Sequence, residues 1–427
     1  MMKISYNQCK WLNLMGFALL YNTIYIGRFN LDNALPALSA ELSLLPYQQT
    51  LLSSSVFFTY AIGSFINGRI ADRYNPRVLV AVGVVASMLC NLLVIFLEHW
   101  QGILVVWLAN GYFQSMVWIS GMCLIARWWS SKDRGLACGI ANFFSGLSHV
   151  AAYVIPMAIT LIFPYISWRK AFVIPVGIMA IFLILFWLLS AESPQSIGEA
   201  AYIETNSLVA GREEYLKREV HETHGNSWKY FFTRPKFIWW CVIALLSSLC
   251  RYGLLKWIPI YYKLSGQAEY ILNPMFSNLI LPIGMAFGTL IITWIAGTKF
   301  ILNKGLMIIC SAALCGSLML TFPIMDSTIG ILIGIFCTGF FLYGINGVLW
   351  LYALDRGGRV YGGTTVGVLN CCAYLGAAME AFVFPFVLNL AGEMISIFIV
   401  MEIICIGMVV CGMVVSEKDT SFEVDNM

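Results

Sequence analysis

Twelve runs of about twenty mostly apolar residues, separated by short polar turns, constrain this chain more than any other feature. An α-helix needs roughly 20 such residues to cross a bilayer. The runs fall at 11–38, 49–70, 78–97, 100–127, 135–163, 168–190, 236–262, 272–296, 305–323, 328–353, 363–390 and 394–414. Of the 427 residues, 60% are apolar and only 11% charged, against about 25% charged in a soluble chain. So much apolar surface needs lipid as its solvent. A soluble enzyme and a secreted disulfide scaffold are excluded, and a net charge of only +3 also argues against a nucleic-acid binder. The first run leads into further structure and not into a cleavage site, so no signal peptide is expected. The fold class read from this pattern is an all-α integral membrane protein.

The one long polar stretch, 191–235, divides the spans six and six. The expected organisation is an N-terminal six-helix bundle (1–190), a central loop (191–235), a C-terminal six-helix bundle (236–414) and a tail (415–427). Of the 25 lysines and arginines, 19 fall on one side, among them Lys3, Lys10, Arg127, Lys132, Arg134, Arg212, Lys217, Arg218, Lys229, Lys299 and Lys418. Positive charge marks cytoplasmic loops, so both termini and the central loop are expected in the cytoplasm, with the chain multi-pass in the cell (inner) membrane. The 13 cysteines lack metal spacing and sit mostly in apolar runs, as packing residues do. His221-Glu222-Thr223-His224 lacks the spacing of a zinc protease and reads as solvated loop. No phosphate loop and no catalytic triad is visible. Neither enzyme activity nor a cofactor or metal is expected.

The two halves echo one another. Span 1 contains Arg28-Phe29-Asn30-Leu31 and then Pro36; span 7 contains Arg251-Tyr252-Gly253-Leu254 and then Pro259. A weaker echo joins Gly139-x-x-Asn142 to Gly367-x-x-Asn370, with Pro156 and Pro385 further along. Such repeats are a signature of transporters. A charge inside a membrane span is costly and marks function by default. Arg28 and Arg251, near equivalent positions of two facing copies, form an expected clamp for an anion such as phosphate or carboxylate. The alternative, an arginine snorkelling to the interface, fits poorly with positions so deep in both runs.

Gly68-Arg69-Ile70-Ala71-Asp72-Arg73-Tyr74-Asn75-Pro76-Arg77, between spans 2 and 3, resembles the cytoplasmic loop signature of the major facilitator superfamily. That resemblance implies two pseudo-symmetric six-helix bundles, and a gating motif at Gly68, Asp72, Arg73 and Arg77 that latches neighbouring spans in the outward-open state. Within the superfamily the chain is most similar to organophosphate–phosphate antiporters, through Ala71–Leu79, Gly111–Trp118, Trp128–Gly135, Glu192–Gly198 and Arg251–Tyr261. In that family the arginines matching Arg28 and Arg251 bind the substrate phosphate. The resemblance implies exchange of an organophosphate for inorganic phosphate by a monomer, with no nucleic-acid partner.

The pocket departs from the family pattern. Ser64 and Phe29 stand where lysines are common, Ser145 where glycerol-phosphate members have histidine (His149 is a turn later), and Lys256 where an acid is usual. Asp32 and Glu380 are acids the pattern does not contain. A second similarity, Tyr25-Ile26-Gly27-Arg28-Phe29-Asn30-Leu31, is to proton-coupled symporters of sugar acids. A third possibility is a non-transporting sensor of phosphorylated sugars, since the hexose-phosphate branch contains receptor-like members. Tyr25, Trp118, Tyr252 and Lys256 are the expected further substrate contacts, with Tyr60, Gln114, Tyr343, Asn346 and Asn370 as other cavity-lining groups. Lys256 either meets the anion or pairs with Asp32 or Glu380. Asp32, four residues after Arg28, either neutralises it on one helical face or carries a proton. Glu380 is a proton carrier or the structural partner of a cation.

Overall fold

The computed structural model describes residues 5–162, 167–199, 227–264, 273–298, 303–325 and 327–416. Among them the chain is helical and contains no strand. Twelve long helices follow one another: α1 Tyr6–Leu42, α2 Pro46–Arg73, α3 Pro76–Val94, α4 Trp100–Trp128, α5 Ser131–Ile162, α6 Val173–Leu189, α7 Pro235–Leu264, α8 Asn273–Thr298, α9 Lys304–Met319, α10 Thr328–Gly357, α11 Gly362–Ala391 and α12 Ile395–Ser416. They match the twelve apolar runs in order. Residues 200–226, which hold Arg212, Lys217, Arg218 and the His221–His224 run, lie outside the described residues, as do Lys3, Lys299 and Lys418.

Local chemistry sets the helix ends. Ser5 and Gln8 form a capping box before α1, and α2, α3 and α7 open on Pro46, Pro76 and Pro235, whose missing N–H is harmless in a first turn. Asn75 caps α3, its Oδ1 accepting from the backbone N–H of Arg77 at 2.9 Å. Nine helices among the described residues are long and apolar enough to cross a membrane. The other three are α9, with 16 residues, and the more polar α1 and α2, which carry Asn30, Asp32, Asn33, Ser53 and Ser54. Their polarity has a reason: all but Asn30 line the large cavity described below.

The packing repeats with a shift of six helices. In the first half α1 packs on α5 and α6, α4 on α2 and α3, and α3 on α6. In the second, α7 packs on α11 and α12, α10 on α8 and α9, and α9 on α12. Between the halves α5 packs on α8, and α2 on α11. These contacts depend on glycine. A Cβ on Gly68 of α2 would lie 2.7 Å from the carbonyl of Gly363 of α11, and one on Gly135 of α5 would lie 2.7 Å from Cα of Gly297 of α8. Gly135 and Gly363 are 228 positions apart, and Gly68 and Gly297 are 229, so one close crossing is built twice. This is the two-bundle architecture of pseudo-symmetric membrane transporters. Large apolar side chains such as Phe96, Leu188, Phe382 and Leu390 cover the outside, where only lipid makes them stable.

Candidate functional site

Arg28 sits mid-way along α1 and is 1% exposed. Its Nε donates to Oε1 of Gln114 on α4 at 2.8 Å. That amide is fixed in turn, since its Nε2 donates to Ser87 Oγ at 3.0 Å and Asn110 Oδ1 at 3.2 Å. Nη1 donates to the hydroxyl of Tyr374 on α11 at 2.5 Å. The faces of Tyr25 and Tyr60 lie 4.3 and 4.6 Å from the guanidinium carbon, an attraction that compensates part of its lost hydration. No carboxylate among the described residues pairs with it, and Nη2 has no hydrogen-bond partner. Asp32 does not neutralise it. The carboxylate turns to α2 instead, where its Oδ1 accepts from Ser53 Oγ at 2.5 Å.

Arg251, on α7, is 5% exposed. Among the described residues it makes one long hydrogen bond, to Ser248 Oγ at 3.5 Å, and lies 4.6 and 4.9 Å from the rings of Tyr252 and Tyr343. Its Nε is also without a partner. Arg251, Tyr25, Tyr343 and Tyr374 surround a small space of about 20 Å³, room for little more than one water. The open central cavity expected between the two arginines is therefore occupied by aromatic rings in this state. Trp118 is part of that packing, 4.6 Å from Tyr21, and its Nε1 is unpartnered.

A cavity of about 690 Å³ begins beyond those rings and opens beside the first turn of α2, at the end of the bundle opposite the start of α1. Asp32, Lys256, Glu380, His149 and Tyr252 line it. Lys256 Nζ lies 3.5 Å from Glu380 Oε1, which also accepts from Trp257 Nε1 at 3.1 Å. Lys256 thus faces the large cavity while Arg251 lines the small one, as the 140° between them on one helix requires. The ring of Tyr252 lines the large cavity and lies 4.6 Å from the guanidinium carbon of Arg251, and His149, 4.6 Å from Tyr25, continues the same wall. One ring, that of Tyr252, therefore lies between the vestibule and Arg251.

The other end of the bundle is closed. Asp72 accepts from the backbone N–H groups of Gly363 at 2.7 Å and Thr364 at 3.0 Å, and from the Thr364 hydroxyl, at the N-terminus of α11 where the helix dipole favours a carboxylate. Gly68 permits that approach. Arg77 acts within the first half: it donates to Ser190 Oγ at 3.1 Å and to the carbonyl of Trp187. Arg73 is exposed. Glu192 joins the cluster, accepting from Asn75 at 2.6 Å and pairing with Arg127 at 2.9 Å. A second lock links α5 to α10, where buried Arg134 pairs with Asp355 at 2.9 Å, and Lys304 of α9 meets the same carboxylate at 2.9 Å.

The sequence did not single out Tyr374, Tyr21 or Ser53 as site residues. Tyr374 follows Asn370, already marked by the repeat, by one helical turn, and Tyr21 precedes Tyr25 by one. That spacing is the signal that would have found both. Polar links between the halves also include Asn370 to Ser64 at 3.1 Å, Asn346 to Asn142 at 3.3 Å and Tyr343 to Ser145 at 3.2 Å. Ser64 and Ser145, where the resemblance implies other residues, thus each bond across the halves. Among the described residues no three metal-ligating groups converge.

The sequence profile of the Major Facilitator Superfamily matches residues 17–379. A glycerol-3-phosphate transporter of Haemophilus influenzae is 26% identical over 424 residues, across 88% of this chain and 85% of its own length. A probable hexose phosphate transport protein of Chlamydia trachomatis is 25% identical, across 85% of this chain and 81% of its own. The membrane sensor protein UhpC of Escherichia coli is 25% identical, across 86% and 82%. These relatives match the organophosphate–phosphate antiporter resemblance, and they are transporters and a sensor rather than enzymes. The solved proton:xylose symporter XylE shares the fold, with a TM-score of 0.71 at 14% identity over 94% of each chain. By profile, fold and repeat, this chain is a multi-pass membrane protein that belongs to the Major Facilitator Superfamily.

Proposed function

We propose that this protein exchanges a phosphorylated organic anion for inorganic phosphate by alternating access, with Arg28 and Arg251 as the anion clamp. The observation that carries the reading is the pair of buried guanidiniums, one from each half, with no carboxylate partner among the described residues and one unpartnered nitrogen each. Two unneutralised cations in a dry site are costly, and an anion between them removes that cost. An anion with several acceptor oxygens suits two planar donor forks. The glycerol-3-phosphate and hexose phosphate transporters among the relatives point to phosphate as the head group.

The coupling follows from the same electrostatics. The anion reaches the clamp from the vestibule when the rings of Tyr252, Tyr25 and Tyr374 move aside. Bound, it draws α1 and α7 together and permits the rocking of one half against the other. If only the loaded form rocks easily, outward passage of one anion requires inward passage of another. In this reading residues 1–190 and 236–414 are the two moving bodies, joined by the 191–235 loop. The monomer lies in the cell (inner) membrane with both termini in the cytoplasm, and the vestibule faces outward.

Two other readings have specific support. Asp32 in the vestibule, with no ion pair among the described residues, favours a proton-coupled carrier of organic carboxylates, and the similarity to UhpC favours a sensor. Uptake of labelled anions into proteoliposomes separates the three. Under exchange, vesicles loaded with phosphate take up label, phosphate-free vesicles take up little, and an imposed proton gradient changes neither. Strong uptake into empty vesicles driven by external acid would replace exchange with symport. Binding without uptake in any vesicle would make the protein a sensor.

A further inference from the structure

The charges in the site are segregated along one face of α1. The guanidinium of Arg28 lies at the deep end, and the carboxylate of Asp32 lies one turn outward, about 6 Å along the axis, in the wall of the 690 Å³ cavity. The other charges lining that cavity are Lys256 and Glu380, which lie 3.5 Å apart and sum to zero, although Lys256 also attracts the Asp32 carboxylate from a distance. Asp32 has no such partner. Its Oδ1 accepts from Ser53 Oγ, and Oδ2 has no hydrogen bond or ion pair among the described residues. The unbalanced charge of the vestibule wall is thus negative, while that of the clamp beneath it is positive.

We infer that the substrate is a phosphate monoester whose phosphate is its one anionic group and whose other end donates hydrogen bonds, an ammonium most strongly, and that Asp32 selects that end and rejects a second anionic group. This inference rests on the Arg28–Arg251 clamp. With the phosphate on the arginines, the organic tail stays in the vestibule, which has room for one. A tail ammonium or hydroxyl gives the Asp32 carboxylate the donor it lacks. A tail carboxylate meets it as a like charge at close range, beside Phe29, Leu35 and Phe57 of the same wall, and like charges at contact repel. Specificity built on such repulsion is stronger than one built on attraction alone.

The test holds the head group constant and changes the tail. Purified protein in detergent is titrated with inorganic phosphate, aminopropyl phosphate, propyl phosphate and carboxyethyl phosphate, with thermal stabilisation or calorimetry as the readout. Wild type should bind the ammonium tail about tenfold or more tighter than the apolar tail, and the carboxylate tail weakest. Asp32→Asn should shrink the span between ammonium and carboxylate tails by about tenfold or more. The wild-type ranking decides alone if that variant does not fold. Failure to bind inorganic phosphate would overturn the clamp and this inference with it. Phosphate binding with a flat tail ranking, with a preference for the carboxylate, or with a span unchanged in Asp32→Asn would overturn the inference and leave the clamp standing.

Discussion

Arg28 and Tyr374 come from opposite halves of the molecule and meet at 2.5 Å, guanidinium to phenol. The phenol does two things at once. It supplies an acceptor to a cation that would otherwise be buried with one fewer, and it stacks at 3.9 Å on Tyr60, bringing α11 against α2. A neutral hydroxyl is a weaker partner for a guanidinium than an anion is. On the proposed clamp, these are contacts that a phosphate would outcompete. Tyrosine rings likewise fill most of the space beside Arg251, leaving about 20 Å³.

Replacing either arginine by lysine keeps the charge and removes the planar fork. Arg28→Lys and Arg251→Lys should each lower anion uptake by about tenfold to a hundredfold, with normal amounts of protein in the membrane. Uptake in proteoliposomes, normalised to reconstituted protein, checks this. Near wild-type transport in either variant would remove that residue from the clamp.

Removing only the hydroxyl of Tyr374 tests the stand-in role. Tyr374→Phe strands Nη1 of Arg28 in the empty protein, a loss of about 1.5–3 kcal/mol for a hydrogen bond to a charged group. The unfolding temperature without ligand should fall. Saturating phosphate should narrow the gap to wild type, because the bound anion supplies the missing acceptor. An equal gap with and without phosphate would make Tyr374 a packing residue.

Much of this was legible in the sequence, and the boundary follows physical lines. Twelve spans, the repeat and the two buried arginines leave one-dimensional traces: apolar length, matching residues, charge where charge is costly. The site's walls leave fewer. Asp32 and Arg28 share a face by spacing, yet the carboxylate goes to Ser53, because side-chain direction across helices is set by packing and not by sequence distance. Lys256 had two candidate acids, and only the crossing of α7 with α11 puts Glu380 within 3.5 Å. The small size of the central space depends on ring positions from four helices, which no local pattern encodes.

The Lys256–Glu380 contact is weaker than a buried pair between the halves would have been. Both residues lie in the second half, and the Lys256 side chain is 49% exposed. An exposed pair is worth about 0.2–1 kcal/mol, and Trp257 holds Glu380 independently. A double-mutant cycle of Lys256→Ala and Glu380→Gln, read by thermal unfolding, should give a coupling in that range. A coupling of several kcal/mol would mean that the pair is shielded from solvent in the working state.

The sharpest mechanical prediction concerns Asp355, which accepts from Arg134 across the halves and from Lys304 within its own half, at 2.9 Å each. All three side chains are at most 8% exposed, so each contact is made largely out of water, and losing either cation removes a charge-assisted hydrogen bond worth about 1.5–3 kcal/mol. The two cations should not behave alike. Lys304 stays beside Asp355 as the halves rock, so Lys304→Gln should lower stability in every state. Arg134 must part from Asp355 for this end to open, so Arg134→Gln should shift the balance towards the open form. Cys123 reports that opening: it is buried beside Asp72 and Arg127 at the same end. Maleimide labelling of Cys123, followed by peptide mass spectrometry, should accelerate in Arg134→Gln and change little in Lys304→Gln. Equal labelling rates in the two variants would show that Arg134 braces the fold and does not gate it.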